Sequence, residues 1–247
     1  MDFRQDEVHQ ELQAMYRDFA QNTVKPLAAE LDREEKFPYD TVKQMGEMNM
    51  LGIPFPEEYE GAGLDELSYV QAVEELSKVC ASTGVTLSAH TSLCTWPIYK
   101  FGTEEQKKKY LPDLCSGRKI GAFGLTEPSA GTDAAMQKTV ADDKGDYFLL
   151  NGSKIFITNA EPASTYVVFA MTDKEQGNHG ISAFILEKGM EGFTIGKHEE
   201  KMGIRGSSTC ELIFQDVKVP KENLLGELNK GFKIAMATLD GGRIGIA

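Results

Sequence analysis

Ten residues from Gly124 to Asp133, GLTEPSAGTD, gather two glycines, a proline, three hydroxyl side chains and two carboxylates directly after an apolar run. At the end of a strand such a segment turns tightly, its glycine lets the backbone approach a ligand closely, and successive N–H groups can converge on an anion. Thr126 and Thr132 add hydroxyl donors. The same composition also suits a plain connecting loop in which Ser129 and Asp133 satisfy their own backbone. A second stretch, NGSKIFITN from Asn151 to Asn159, reads as a turn followed by a strand, and alternation puts Phe156 and Thr158 on one face. A ring beside a hydroxyl can wall a flat heteroaromatic ligand and donate a hydrogen bond to its edge; a strand phenylalanine buried in a core is the alternative.

The elements that must position these stretches change in texture along the chain. Over residues 5–32, Val8, Leu12, Met15, Phe19, Val24, Leu27 and Leu31 form the stripe of an amphipathic helix with one irregular turn around Pro26. A shorter helix is predicted from Tyr39 to Met48, then a loop at PFPEEYEGAG and a helix from Asp65 to about Ala81. The run Thr86 to Phe101, which carries few charges, predicts a buried helix, and Thr103 with Gln106 fits a capping box opening EEQKKKYLPDL, whose lysines form a solvated face. From Gly117 the pattern becomes seven short β-rich runs, IGAFGLT, DYFLLNG, KIFITN, TYVVFAM, GISAFIL, GFTIG and CELIFQDVKV, the signature of an antiparallel sandwich or barrel. Beyond Pro220 the chain turns helical again from about Lys230, weakened by Gly241 and Gly242. It ends while still apolar, the pattern of a helix interrupted within a larger protein. The fold class is therefore α+β, with an N-terminal helical domain over 1–117, a middle β-domain over 118–228, and at 229–247 the start of a truncated C-terminal helical domain.

Bulk properties exclude several functions. Thirty-eight acidic against twenty-six basic residues give a net charge of −12, the wrong sign for a sequence-independent grip on nucleic acid. No apolar run is long enough for a membrane span. The charged, amphipathic N-terminus has no secretory h-region, which makes the cytoplasm the expected location. Cys80, Cys94, Cys115 and Cys210 are widely spaced with no CxxC pair, so neither a metal site nor a disulfide framework is expected.

GLTEPSAGTD and NGSKIFITN, together with KMGIRGSST from Lys201, FQDVKVP from Phe214 and the terminal TLDGGRIGIA, resemble the acyl-CoA dehydrogenase family in consistent order along the whole chain, most of all its short-chain, butyryl-CoA type. The resemblance implies a flavoprotein that binds FAD and a short-chain acyl-CoA and removes hydrogens from Cα and Cβ of the thioester. The hydride goes to FAD and the electrons then pass to an electron-transferring flavoprotein. It also implies a helical N-terminal domain, a β middle domain, a C-terminal bundle and a homotetrameric parent. Thr126 matches the threonine that hydrogen-bonds the flavin pyrimidine edge, with the Leu125 backbone beside it, where donors favour the charge that arrives with the hydride. Gly131 and Thr132 match residues near the FAD pyrophosphate and the pantetheine of the acyl-CoA. Thr158 matches the hydroxyl near flavin N5, and Phe156 the aromatic wall, often tryptophan in relatives. Phe123 and Ile157 join this cofactor-binding set, while Thr132, Asp240 and Arg243 are the substrate-binding positions.

Three positions depart from the family pattern. Met136 stands where a small residue is usual, which would tighten packing behind the flavin, and Phe156 keeps a ring in place of tryptophan. The third departure bears on the chemistry, which needs a carboxylate base for the Cα proton. One branch of the family places a glutamate immediately before the LDGGR arginine, and here that residue is Gly242. The short-chain branch takes it from the C-terminal domain, so no catalytic base is expected in this chain. Glu127 and Glu161 are poor candidates, Glu127 and Asp133 being better suited to shaping the turn. The isolated chain is expected to be inactive or nearly so, and to hold FAD weakly or not at all. The alternatives are an enoyl-CoA reductase working in the reverse direction and a non-catalytic module that binds flavin or acyl-CoA.

Overall fold

The computed structural model describes residues 5–247, so the first four residues of the expected 1–117 unit lie outside the described residues. The first helix, α1 (Glu7–Phe19), opens on Asp6, whose carboxylate accepts from the His9 N–H and satisfies one of the orphan donors of the first turn. It runs through a π-helical turn (Ala20–Val24) into α2 (Lys25–Glu34), and the widened turn lies just before Pro26, whose ring and missing N–H interrupt regular helical bonding. The irregular turn expected at Pro26 is thus this widened turn. Then follow α3 (Tyr39–Glu47), α4 (Glu66–Ser77) and α5 (Ala81–Ser88). The predicted helix over Thr86–Phe101 is buried as expected. It begins earlier, however, and is broken by a second π-helical turn (Ala89–Thr95) before α6 (Trp96–Phe101). The capping box forms at α7 (Glu104–Cys115): Gln106 N–H donates to Thr103 Oγ1 at 3.2 Å and Thr103 N–H to Gln106 Oε1 at 3.0 Å.

Eight strands follow: β1 (Ile120–Gly124), β2 (Val140–Asp143), β3 (Tyr147–Thr158), β4 (Ala163–Met171), β5 (Ile181–Glu187), β6 (Phe193–His198), β7 (Thr209–Pro220) and β8 (Leu224–Leu225). The runs DYFLLNG and KIFITN, read from sequence as two strands, are one. Gly152 does not end the strand; at φ 142 it follows a bulge whose extra residue is on β7, where Asp216 has φ 53, and the ladder to β7 continues. β2 escaped the sequence reading because ADD lacks β-branched and aromatic residues. The sheet order is β6-β7-β3-β2-β4-β5-β8, mostly antiparallel. β1 pairs parallel with β4 along Ile120–Gly124, and β2 meets β4 in parallel at Val140 and Met171.

Alternation along β4 and β5 separates two cores. Tyr166, Val168, Phe184 and Leu186 face a core made almost entirely by strands, with Phe148, Phe193, Leu212 and Phe214. Val167, Phe169, Ile181 and Ile185 face α6, α7 and the last helix, α8 (Gly231–Ile246), through Ile98, Leu111, Leu114 and Ile234. A third core, around Tyr16, Phe19, Met45, Leu51, Leu76 and Leu87, holds the N-terminal helices together. Each such side chain contributes about 1.5–3 kcal/mol by leaving water. β1 sits where the three cores meet, which fixes the strand end that carries GLTEPSAGTD. The four cysteines are buried. Among the described residues no helix is long and apolar enough to cross a membrane.

Candidate functional site

β1 ends at Gly124, and the chain leaves it into a cavity of about 480 Å³. Phe123, Leu125 and Thr126 line this cavity from the strand end, and Gly131 and Thr132 from the loop beyond. The loop is a tight turn about Pro128 and Ser129, closed by Glu127 N–H to Ala130 O at 3.0 Å and Ala130 N–H to Glu127 O at 3.1 Å. Asp133 caps the short turn that follows by accepting from Ala135 N–H at 3.2 Å, as the plain-loop account foresaw for this residue. Gly131 differs: a Cβ there would meet nothing within 4 Å. The fold itself makes no demand for glycine at that position, and a ligand can approach its backbone closely.

The second wall is the end of β3. A bulge between Lys154 and Ile157 puts Phe156 at φ 59, in the left-handed region that a bulky residue adopts only under constraint, and leaves its ring 59 % exposed on the cavity. Thr158 lines the same space, so the predicted pairing of ring and hydroxyl on one face is what the structure shows, although it is reached through a bulge. Ile157 lines it as well, from a largely buried position. Ile155 N–H donates to Thr126 O at 2.9 Å and holds the two walls together. The half-buried Thr126 and Thr158 and the exposed Thr132 find no partner for their hydroxyls among the described residues.

Asn159, also left-handed at φ 62, ends the strand. Its Nδ2 donates to Thr86 O at 3.0 Å, and its N–H donates to Ser208 O at 2.8 Å. Behind the site His90 is fully buried in the second π-helical turn. Its Nδ1 accepts from Gly121 N–H at 3.0 Å, which leaves Nε2–H to donate to Leu114 O at 3.1 Å. Burial pushes its pKa down to about 4, so the ring is neutral at pH 7. It ties β1 and the end of α7 to the turn whose Ala89 and Leu93 line the cavity.

The last wall is α8, with Met236, Leu239 and Arg243. Arg243 is exposed and has no ion pair among the described residues, so its charge is free for a ligand. Asp240 is exposed on the same helix but does not line the cavity. Met136, expected to tighten packing behind the flavin, is 59 % exposed in the turn after the loop and does not line the cavity. No carboxylate lines the cavity among the described residues. Gly242 packs so closely that a Cβ would come within 2.7 Å of Leu93 Cδ2.

Sequence reasoning missed Lys154. Strict alternation places it on the face of Phe156 and Thr158, yet Lys154 keeps the inward face of Phe148 and Leu150, with no exposure, toward Glu127, and the bulge after it turns Phe156 outward. Its Nζ lies 2.7 Å from Glu127 Oε1, 3.1 Å from Leu125 O and 3.1 Å from Gln137 Oε1. Burial pushes Lys154 down to about 8, partly offset by Glu127, which leaves it protonated at neutral pH. Burial raises the pKa of Glu127, but the Lys154 charge and the Lys138 and Thr139 N–H groups outweigh it and hold the carboxylate ionised. A lysine inside the run KIFITN was the one available signal.

With the cavity described, known proteins provide the comparison. The family model described as acyl-CoA dehydrogenase, N-terminal domain, matches residues 6–118, and that described as acyl-CoA dehydrogenase, middle domain, matches residues 122–217. The chain is 62 % identical over 247 residues to the short-chain specific acyl-CoA dehydrogenase of Clostridium acetobutylicum, covering 100 % of this chain and 65 % of that protein. The solved butyryl-CoA dehydrogenase of Megasphaera elsdenii superposes with a TM-score of 0.96 at 54 % identity, over 99 % of this chain and 65 % of that one. A chain in a structure described as the electron transferring flavoprotein of Acidaminococcus fermentans matches at a TM-score of 0.97 and 62 % identity, over 99 % of this chain and 64 % of that one. The chain thus spans about two thirds of the length of the relatives it matches.

Proposed function

The chain belongs to the acyl-CoA dehydrogenase family, and from that premise we propose that the cavity holds the ring system of FAD in an enzyme that dehydrogenates a short-chain acyl-CoA to the trans-2-enoyl-CoA. The observation that carries the proposal is the donor set. Thr126 and Thr158 present unpartnered hydroxyls from two walls that also carry the exposed ring of Phe156. A flat heteroaromatic ligand with a polar edge fits those groups, whereas a purely apolar ligand would strand them. When bound, FAD would supply the acceptor for the hydride leaving Cβ. The chain's own residues bind and orient. Thr126 and the Leu125 backbone would serve the flavin edge, Thr158 would lie by the accepting nitrogen, and Phe123, Phe156 and Ile157 would flank the ring. Gly131 and Thr132 would admit the phosphate and pantetheine side, with Arg243, and Asp240 from outside the cavity, toward the CoA ligand.

Proton abstraction at Cα needs a carboxylate, and none lines the cavity among the described residues. Glu127 is committed to Lys154 and two backbone N–H groups, so it is unavailable as a base. The proposal therefore takes the base from outside the described residues, in the length that relatives have and this chain does not span. The electron-transferring flavoprotein as acceptor, a homotetrameric assembly and a cytoplasmic location belong to the same proposal. The first is supported by the structure of such a flavoprotein in which a matching chain occurs. The test is dye reduction with butyryl-CoA and added FAD by the 247-residue chain. Turnover near the background rate is expected, and robust butyryl-CoA-dependent reduction without a second polypeptide would overturn the assignment of the base.

A further inference from the structure

The buried cluster of Lys154, Glu127 and Gln137 lies outside the cavity wall, yet it holds the peptide that forms that wall. An ammonium has three donors, and the three acceptors about Lys154 Nζ use them all. One of those acceptors is the carbonyl of Leu125. A peptide unit is planar, and here it is trans, so its C=O and N–H point in opposite directions. With the Leu125 carbonyl drawn inward onto Lys154, the Thr126 N–H is turned away from the cluster, on the side of the cavity that Leu125 and Thr126 line. That N–H has no backbone acceptor among the described residues. The next carbonyl, Thr126 O, is held by Ile155 N–H, from the residue beside Lys154.

We propose that Lys154 is a positioning residue: it fixes the orientation of the Leu125–Thr126 peptide and thereby presents the Thr126 amide and hydroxyl to the ligand of the cavity. The identity of that ligand rests on the flavin assignment above; the positioning does not. A role in stability alone does not account for the cluster, because apolar side chains of similar volume often replace a buried ion pair at no cost to stability. An apolar side chain in this place would leave the Leu125 carbonyl unheld. Glu127 keeps the ammonium charged in a site without water access and, through Lys138 and Thr139 N–H, anchors the far end of the loop to the start of β2. Lys154 keeps the inward face of β3 and the bulge immediately after it throws Phe156 outward, so the anchor of the donor peptide and the ring come from the same strand end on opposite faces.

The test compares the chain with Lys154→Met and with the milder Gln137→Leu, which removes one acceptor and carries the test if Lys154→Met does not fold. Hydrogen exchange is read residue by residue, alongside global stability by denaturant. The Ile155 amide is expected to exchange at least about tenfold faster than the global change accounts for, since its acceptor is the carbonyl next to the released peptide. Amides in the strand-lined core should follow global stability. Millimolar FAD is then added as the probe: it should move the Thr126 amide resonance in the unmodified chain and move it several-fold less in the variant. Ile155 exchange that tracks global stability in both variants would overturn the positioning role. If Ile155 exchange rises as expected while FAD leaves Thr126 of the unmodified chain unmoved, the positioning role stands and the flavin assignment fails.

Discussion

Protonating His90 should destabilise the fold in a defined pH window, and its magnitude follows from the site. The ring is fully buried, accepts from Gly121 N–H and donates to Leu114 O, so only the neutral form fits. Its pKa falls from 6.5 to about 4 on folding, with burial the main cause and the Leu114 hydrogen bond a partial offset. A depressed folded pKa means that the stabilisation is fully present above pH 6.5 and is lost as the pH falls toward 4. Linkage gives a loss of about 2 kcal/mol by pH 5 and about 3 kcal/mol by pH 4. The assay is urea unfolding of the chain and of His90→Gln at pH 7.5, 6, 5 and 4, followed by circular dichroism. Carboxylate titrations are common to both proteins and cancel in the difference. The advantage of the unmodified chain over His90→Gln should be constant above pH 7 and shrink by those amounts in acid. A difference that stays constant within about 0.5 kcal/mol across the range would refute the assignment of a neutral, desolvated ring.

Other perturbations probe different parts of the account. His9 bridges the helix-capping carboxylates Asp6 and Asp65, and its hydrogen bond to Asp65 raises its pKa above 6.5, with burial opposing and Asp6 assisting. Its stabilisation is therefore fully present below pH 6.5 and lost as the pH rises through the raised value. His9→Gln should cost more stability at pH 6 than at pH 9, and the reverse order would contradict the bridge. Glu127→Ala leaves the fully buried Lys154 without its counter-charge and should cost about 3–5 kcal/mol in denaturant unfolding. Pairing Glu127→Gln with Lys154→Met in one chain should recover much of the loss caused by either alone, and strict additivity would contradict the coupling. Gly152→Ala places a Cβ within 2.7 Å of Thr139 Cα at φ 142 and should cost about 2 kcal/mol or more; a loss below about 0.5 kcal/mol would show that the bulge relaxes freely.

Local chemistry was legible in the sequence. The capping box at Thr103 and Gln106 and the turn after β1 depend on neighbours a few residues apart, and each formed as its residues suggest; of the stripe of the first helix, Phe19 and Val24 are buried while Val8, Met15 and Leu27 stay exposed. The resemblance carried by GLTEPSAGTD and NGSKIFITN led to Phe123, Leu125, Thr126, Gly131, Thr132, Phe156, Ile157, Thr158 and Arg243, which the structure places around one cavity. What escaped is set by partners distant in sequence. Lys154 keeps the inward face of Phe148 and Leu150 and is held there by Glu127, 27 residues away, while the bulge after it breaks the alternation with Phe156. His90 depends on Gly121, 31 residues on, and the two runs read as separate strands on either side of Gly152 are one because β7 pairs with both. No periodicity rule reports a π-helical turn, so Ala89 and Leu93 were invisible as cavity residues.

The central claim is that the cavity between β1, β3 and α8 is a flavin site, and amide resonance mapping of the chain titrated with FAD tests it most directly. Even with the weak binding proposed for this chain, millimolar FAD should shift Thr126, Gly131, Thr132 and Phe156 to Thr158 together, with an effect that saturates and that Thr158→Val reduces. If those amides stay unmoved, or if the shifts cluster away from the cavity, the flavin assignment is wrong.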